Sequence, residues 1–303
     1  MTLTELKYIV AVAQYRHFGR AAKACFVSQP TLSLGVKKLE QELKLNIFER
    51  EARNALHITQ QGGVIIEQAQ KILDQAAHLK CLAQAQQGAL ATPLRLGAIY
   101  TIAPYLLPAL IPRLHQRAPQ MPLRLEENFT AVLLQQLKQG ALDVIVIALP
   151  FDEPGILTCG VYEEPFEAVI PFEHHWKDRS AIAVNELAKE NLILLGPGHC
   201  FREQILNACP DCSASGHLQE SLAGGSLETI RQMVASGSGI TVLPCSSNPP
   251  CAASPLIKMI PFTPPAPSRT VALAWRKGFT RPEVIEVLRE EILQCSLNGV
   301  TLL

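Results

Sequence analysis

Apolar residues recur at helical spacing through the first fifty positions of the chain. Leu6, Ile9, Val10, Val12 and Ala13 form one stripe, and Phe18-Gly19-Arg20-Ala21-Ala22-Lys23-Ala24 predicts a short second helix whose paired alanines permit close packing. After a turn at Cys25-Phe26-Val27, Ser28 is placed to cap a third helix with Pro30 tolerated in its first turn. Along that helix Leu32, Val36, Leu39 and Leu43 face inward, which leaves Gln29, Thr31, Ser33 and Lys37 pointing outward. The stretch from Phe48 to Thr59 predicts a wing carrying Arg50 and Arg53. From Thr59 to about Gln87 a long helix is expected, with Ile65, Ala69, Ile72, Ala76, Leu79 and Ala83 alternating in steps of four and three. A solitary helix would expose that seam, so a second copy of the chain is its natural partner, with packing onto the body of the same chain as the alternative.

Past Gly88-Ala89-Leu90-Ala91-Thr92-Pro93 the pattern changes to alternating strands and helices. Strands are expected at Leu94–Ala98, Leu123–Glu127 and Leu142–Leu149, with helices at Ile102–Arg117 and Ala131–Gln139. Such alternation predicts parallel β/α layers covered on both faces. A second set follows, with strands near Ala168–Pro171, Leu192–Leu195 and Gly239–Pro244 and helices at Phe201–Ala208 and Leu227–Ala235, the last capped by Ser226. Val271–Trp275 and a helix over Pro282–Cys295 read as a return to the first set. The expected domains are 1–58 for the small helical unit, 59–89 for the linker helix, 93–162 with 268–303 for one lobe, and 163–267 for the other. A ligand cleft belongs at the junction of two such lobes.

Charge is balanced, with 27 basic and 27 acidic residues, so no global field draws the protein onto nucleic acid or membrane. A local basic patch is nevertheless present: Arg20, Lys23, Lys37 and Lys38 flank the polar face of the third helix. Small polar side chains near the N-terminus of a helix in this arrangement reach base edges in a major groove, while the basic ones contact phosphate. The first residues carry no signal-peptide pattern, and the longest apolar runs are strand-length, so a soluble cytoplasmic protein is expected.

Nine cysteines are scattered along the chain, and most read as small buried hydrophobes. The exception lies in Gly198-His199-Cys200-Phe201-Arg202-Glu203-Gln204-Ile205-Leu206-Asn207-Ala208-Cys209. Gly196-Pro197-Gly198 breaks the preceding run, and Cys200 falls where the helix begins. At a rise of about 1.5 Å per residue, nine steps hold the two Cα atoms roughly 13 Å apart. A disulfide requires less than about 7 Å, so these sulfurs join only if the segment unwinds.

The order and spacing of Phe18-Gly19-Arg20-Ala21-Ala22, Val27-Ser28-Gln29-Pro30-Thr31-Leu32-Ser33, Leu39-Glu40, Phe48-Glu49-Arg50 and Ile58-Thr59 resemble the N-terminal signature of LysR-type transcriptional regulators. Five further stretches resemble the hydrogen-peroxide-sensing OxyR branch of that family: Gly198-His199-Cys200 through Cys209, Tyr100-Thr101 with Pro104-Tyr105-Leu106-Leu107-Pro108, Ser226-Leu227-Glu228-Thr229, Gly237-Ser238-Gly239-Ile240-Thr241, and Arg269-Thr270. The resemblance implies an α/β fold: an N-terminal winged helix-turn-helix, a long linker helix and a two-lobed periplasmic-binding-protein-like effector domain. It implies Arg20, Gln29, Pro30, Thr31, Ser33, Lys37, Arg50 and Arg53 at DNA, Cys200 as the peroxide-reactive cysteine and Cys209 as the resolving one. By the same resemblance Thr101, Thr130, His199 and Arg269 form the peroxide pocket. Expected partners are double-stranded promoter DNA, further copies of the chain (a homodimer through the linker helix and a homotetramer), RNA polymerase, hydrogen peroxide and cellular thiol reductants. No cofactor, metal or membrane is expected, nor an enzyme activity.

The residues keep alternatives open. His199, Cys200, Cys209 and Cys212 also form an H-C-x8-C-x2-C set, and thiolates with imidazole suit zinc. Cys212 departs from the pattern of the branch and competes with Cys209 as the resolving partner. A LysR-type regulator answering to a small metabolite in the cleft, with Cys200 a bystander, is the other reading. A thiol peroxidase has no use for a recognition helix, and a secreted solute-binding protein would need the missing signal peptide.

Overall fold

A computed structural model describes the chain except residues 51–55, 86–89, 215–217, 220–224 and 249–254. It divides into two compact units, Met1–Gln86 and Gln87–Leu303.

In the first unit, α1 (Leu3–Tyr15) starts with a reciprocal cap: Glu5 N–H donates to Thr2 Oγ1 and Thr2 N–H donates to Glu5 Oε2. Next, α2 (Phe18–Ala24) is capped by His17, whose Nδ1 accepts from the N–H groups of Gly19 and Arg20. Ser28 Oγ accepts from Thr31 N–H at the start of α3 (Gln29–Leu43), as the sequence predicts. Leu32, Val36 and Leu39 turn inward to meet Ile9, Val12 and Ala21. Gly35 lies where α3 crosses Tyr8 of α1: a Cβ added there would fall 2.7 Å from the tyrosine ring, so only glycine lets the helices close. Strands β1 (Phe48–Arg50) and β2 (Leu56–Ile58) form an antiparallel ribbon, the predicted wing. Glu40 on α3 anchors it by accepting from the N–H groups of Ile47 and Phe48.

The long helix α4 (Gln60–Ala85) forms as expected, but its seam is divided. Ala69 is buried in the core of this same unit, with Ile65 and Ile72 packed against it, whereas Leu79 is exposed. The N-terminal half of the stripe thus closes its own domain's core, because α1 lies along it; Ala83 is outside the residues whose side chains are described.

In the second unit the chain runs through β3 (Leu94–Ile99), α5 (Ala103–Arg117), β4 (Leu123–Asn128), α6 (Thr130–Lys138) and β5 (Val144–Ala148), then the sixteen-residue β6 (Ile156–Pro171). There follow β7 (Leu192–Ile193), α7 (Cys200–Ala208), α8 (Asp211–Ala214), β8 (Leu218–Gln219), α9 (Leu227–Ala235), β9 (Thr241–Pro244), β10 (Ile257–Pro261), β11 (Ser268–Arg276), α10 (Pro282–Leu293) and β12 (Thr301–Leu302). Helix α5 tolerates Pro104, Pro108 and Pro112 because the four-residue spacing puts all three on its exposed face, where carbonyls left without an N–H partner face solvent.

β3 pairs in parallel with β4 and β5, which matches the predicted layers. The sheet as a whole is mixed, however, since β11 lies antiparallel between β5 and β6. The first part of β6 pairs with β11 and its last part with β9 and β10, so one strand carries the chain from one lobe to the other. Each lobe has its own core, one around Leu106, Leu110, Ile145 and Leu288 and one around Phe166, Ile193, Phe201 and Ile230. Among the described residues no helix is long and apolar enough to cross a membrane.

Leu39→Ala should destabilise the first unit by about 2–5 kcal/mol, read from urea denaturation of the full chain.

Candidate functional site

Helix α7 and the loop before it place the reactive residues. Gly198 has φ +94°, a left-handed conformation that side chains strain to adopt, and it turns the chain into the helix. His199 follows in extended backbone as the N-cap, and Cys200 is the first helical residue. The orphan N–H groups of that first turn carry partial positive charge close to the sulfur. Phe201 and Ile205 bury α7 in one lobe's core, while the half-buried Cys200 packs against the other's. Gln204 Nε2 also donates across to Leu149 O at 3.3 Å.

Of the four residues expected at a peroxide pocket, Thr101 and Arg269 contact each other, Thr130 lies beside Cys200, and His199 packs on Phe129. Thr130, at the N-terminus of α6, has its Oγ1 3.8 Å from Cys200 Sγ. Arg269 on β11 donates from Nη1 to Thr101 Oγ1 at 2.9 Å and from Nη2 to Thr101 O at 2.8 Å. The Arg269 guanidinium also sits 5.1 Å from the ring centroid of Phe201, the neighbour of Cys200. His199 stacks against Phe129 with ring centroids 4.7 Å apart. Burial pulls the His199 imidazole below its ordinary pKa and keeps it neutral at neutral pH.

Glu164 on β6 was not among the expected residues. Its side chain and that of Arg269 are fully buried, with Nε to Oε1 at 2.6 Å, and Ser246 Oγ donates to the other carboxylate oxygen. Arg269 therefore spends its fork on Glu164 and Thr101, which makes it the brace of the Thr101 loop. Phe129 and Tyr100, which pack around His199, were missed as well. An acidic pair in a strand, Glu163-Glu164, is the only sequence signal that pointed to the brace.

Among the described residues the disulfide is Cys209–Cys212, not Cys200–Cys209. With α7 wound, Cys200 and Cys209 stand at opposite ends of the helix, as the helical rise requires, and Cys200 keeps a free thiol. In this state two of the three sulfurs of the Cys200, Cys209 and Cys212 set are joined to each other. Among the described residues one group could hold an ion: His174, His175 and Glu190, with ligand atoms within 4.8 Å of one another. His174 Nδ1 accepts from Trp176 N–H, which leaves the proton of the neutral ring on Nε2, facing Glu190. That tautomer makes a hydrogen-bonded cluster and not a ligand set. Burial pushes the Cys245 and Cys295 thiols up to about 12 and about 11, which holds both protonated and unreactive.

On the first unit, Arg20, Gln29, Pro30, Thr31 and Lys37 are exposed and Ser33 is half-buried, all on or beside the face of α3. Lys38, by contrast, pairs with Glu5 at 3.0 Å and ties α3 to α1. Arg50 ends β1, its side chain outside the described set, and Arg53 lies outside the described residues.

The chain matches the family description "Bacterial regulatory helix-turn-helix protein, lysR family" over residues 3–63 and "LysR substrate binding domain" over residues 87–295. It is 39% identical over 292 residues to the DNA-binding transcriptional dual regulator OxyR of Escherichia coli K12, covering 96% of this chain and 95% of that one. With the hydrogen peroxide-inducible genes activator of Haemophilus influenzae it shares 37% identity over 280 residues, covering 92% and 91%. Among solved structures, a full-length OxyR variant from Pseudomonas aeruginosa superposes with a TM-score of 0.78 at 52% identity, covering 99% of this chain and 98% of that one. A variant of Corynebacterium glutamicum OxyR described as H2O2-bound gives a TM-score of 0.65 at 30% identity, covering 97% and 92%.

Arg269→Met should cost about 3–5 kcal/mol by leaving Glu164 buried and unpaired, and adding Glu164→Gln should recover part of the loss in denaturation experiments. Because the folded state holds His199 below the free-histidine value of about 6.5, its unfolded form takes the proton first. Its contribution is intact above that value and is lost as pH falls through the folded pKa. His199→Phe should therefore flatten the acid side of the Tm-against-pH curve; an unchanged slope would contradict the assignment.

Proposed function

This chain belongs to the LysR family of bacterial transcriptional regulators, and on that premise we propose that it is an OxyR-like sensor of hydrogen peroxide that controls oxidative-stress genes. The observation that carries the reading is the free Cys200 thiol at the first turn of α7, beside the Thr130 hydroxyl. Peroxide is attacked by a thiolate, and the open first turn of α7 presents backbone N–H groups beside the Cys200 sulfur. Attack by Cys200 sulfur breaks the O–O bond, leaves a sulfenic acid and releases water. A second thiolate then displaces the sulfenic oxygen as another water. Cys209 is the resolving residue in this reading, and α7 must unwind for it to arrive. A ring of about ten residues closed this way contributes on the order of 3 kcal/mol, which is comparable to the gap between two conformations. The crosslink so shifts the effector lobes and, through α4, the spacing of the recognition helices.

Thr101, Thr130 and His199 line the peroxide site, with Arg269 holding Thr101 in place. Arg20, Gln29, Pro30, Thr31, Ser33, Lys37, Arg50 and Arg53 form the DNA interface, with phosphate contacts from the basic residues and base edges met by the small polar ones. The winged unit (1–58), the linker helix (59–89) and the two lobes (93–162 with 268–303, and 163–267) divide these tasks. The protein works in the cytoplasm as a homodimer through the exposed part of the α4 seam and assembles to a homotetramer. It engages RNA polymerase at its promoters and is returned to the reduced form by cellular thiol reductants. It acts stoichiometrically, as a switch and not as an enzyme.

Cys200→Ser should abolish the peroxide response in transcription assays while leaving DNA affinity unchanged; a full response in that variant would end the sensor reading. Lys37→Ala should weaken promoter binding and lower the slope of log K against log salt by about one, with thiol reactivity unaffected.

A further inference from the structure

We propose that Cys212 resets the switch: with Cys209 it forms a second redox couple that takes over the oxidation first registered at Cys200. This rests on the peroxide-sensing reading above and adds to it a thiol which that reading leaves without a role.

Helix α7 stops at Ala208, the chain turns at Pro210, and α8 starts at Asp211, so Cys212 N–H donates to Cys209 O at 3.1 Å. The turn brings the Cα atoms of Cys209 and Cys212 to 5.6 Å, inside the range a disulfide spans, and the two are bonded with α7 fully wound. Both are buried in the same core as Phe201 and Ile205. Cys200, at the far end of α7, packs against the core of the opposite lobe. Cys209 can hold only one of the two partners at a time, and each bond belongs to one state of α7. Bonding to Cys212 leaves the helix intact, whereas bonding to Cys200 gives up its backbone hydrogen bonds and the burial of Phe201 and Ile205.

The reaction that connects the two states is thiol–disulfide exchange. In the peroxide-switched form Cys200 and Cys209 are joined and Cys212 is a thiol. Its thiolate attacks Cys209 Sγ, the Cys200–Cys209 bond breaks, and Cys200 leaves as a thiolate. One S–S bond forms as one breaks, so no external oxidant or reductant is consumed. The two-electron oxidation taken from peroxide moves from the switch pair to Cys209–Cys212, and α7 rewinds with Cys200 free, which is the arrangement in the structure. In that state Cys200 still reacts with peroxide but has no resolving thiol, and the sensor is refractory. Reduction of Cys209–Cys212 by a cellular dithiol ends this period, and it is slow because both sulfurs are buried.

The test is a disulfide time course. Fully reduced, metal-stripped protein is freed of reductant, given one equivalent of hydrogen peroxide, quenched by alkylation at intervals and mapped by peptide mass spectrometry. Wild type should pass through a Cys200–Cys209 crosslink that decays into Cys209–Cys212 with no reductant present. In Cys212→Ser the Cys200–Cys209 crosslink should persist roughly tenfold longer or more, until a dithiol is added. A wild-type Cys200–Cys209 bond that persists with Cys212 alkylatable throughout would overturn the proposal. So would Cys209–Cys212 forming at the same rate in Cys200→Ser, since peroxide would then oxidise the pair directly. If Cys200 is neither sulfenylated nor crosslinked in any of the proteins, the sensing reading itself fails, an outcome distinct from the other two.

Discussion

Nine residues of helix, from Cys200 to Ala208, keep one sulfur at the interlobe end and the other buried in one lobe's hydrophobic core. The backbone hydrogen bonds of α7 and the burial of Phe201 and Ile205 make that separation rigid, and a disulfide cannot stretch to meet it. Chemistry at Cys200 is therefore read as conformation: a bond to Cys209 and an intact helix exclude each other. The rest of the site serves to hold this helix start in place. Gly198 turns the chain into it, Gln204 ties it to Leu149, and Cys200 itself lies against the neighbouring lobe.

The Arg269–Glu164 pair gives the frame its stiffness. Both side chains are buried, and the guanidinium also fastens the Thr101 loop by two hydrogen bonds while covering the Phe201 ring. A buried pair of this kind is weak evidence of net stabilisation, because desolvation offsets much of the attraction. Its value here is geometric: it couples β11, β6, the loop after β3 and the first turn of α7 at one point. The first turn of α7 thus touches both lobes.

The elements governed by local rules were legible in the chain. Ser28 and Ser226 cap the helices they were expected to cap, and α7 starts at Cys200, since caps and apolar spacing are short-range signals. The mixed sheet was not legible, because the run that became β6 contains Glu163-Glu164-Pro165, which interrupts the apolar pattern, and its partners lie about a hundred residues away. The brace at Glu164 escaped for the same reason, with 105 positions separating it from Arg269. Thr101 and Arg269 were placed only by resemblance to a family; nothing in their own neighbourhoods marks them. The three-residue spacing of Cys209 and Cys212 was visible, yet the choice of partner for Cys209 depends on whether α7 is wound, and that is a tertiary matter. Periodicity alone cannot divide the seam of α4 between a partner helix and α1 of the same domain, so both destinations stay open in the sequence.

The separation enforced by α7 is best tested by amide hydrogen exchange across residues 201–208. Cys212→Ser is the protein to use, since no exchange can then remove the Cys200–Cys209 crosslink. In the reduced form these amides should be protected as a helix, and after peroxide treatment the protection should be lost in the same molecules that carry the crosslink. Crosslinked protein with α7 still fully protected would show that the two sulfurs meet without unwinding, and the conformational account of the switch would be wrong.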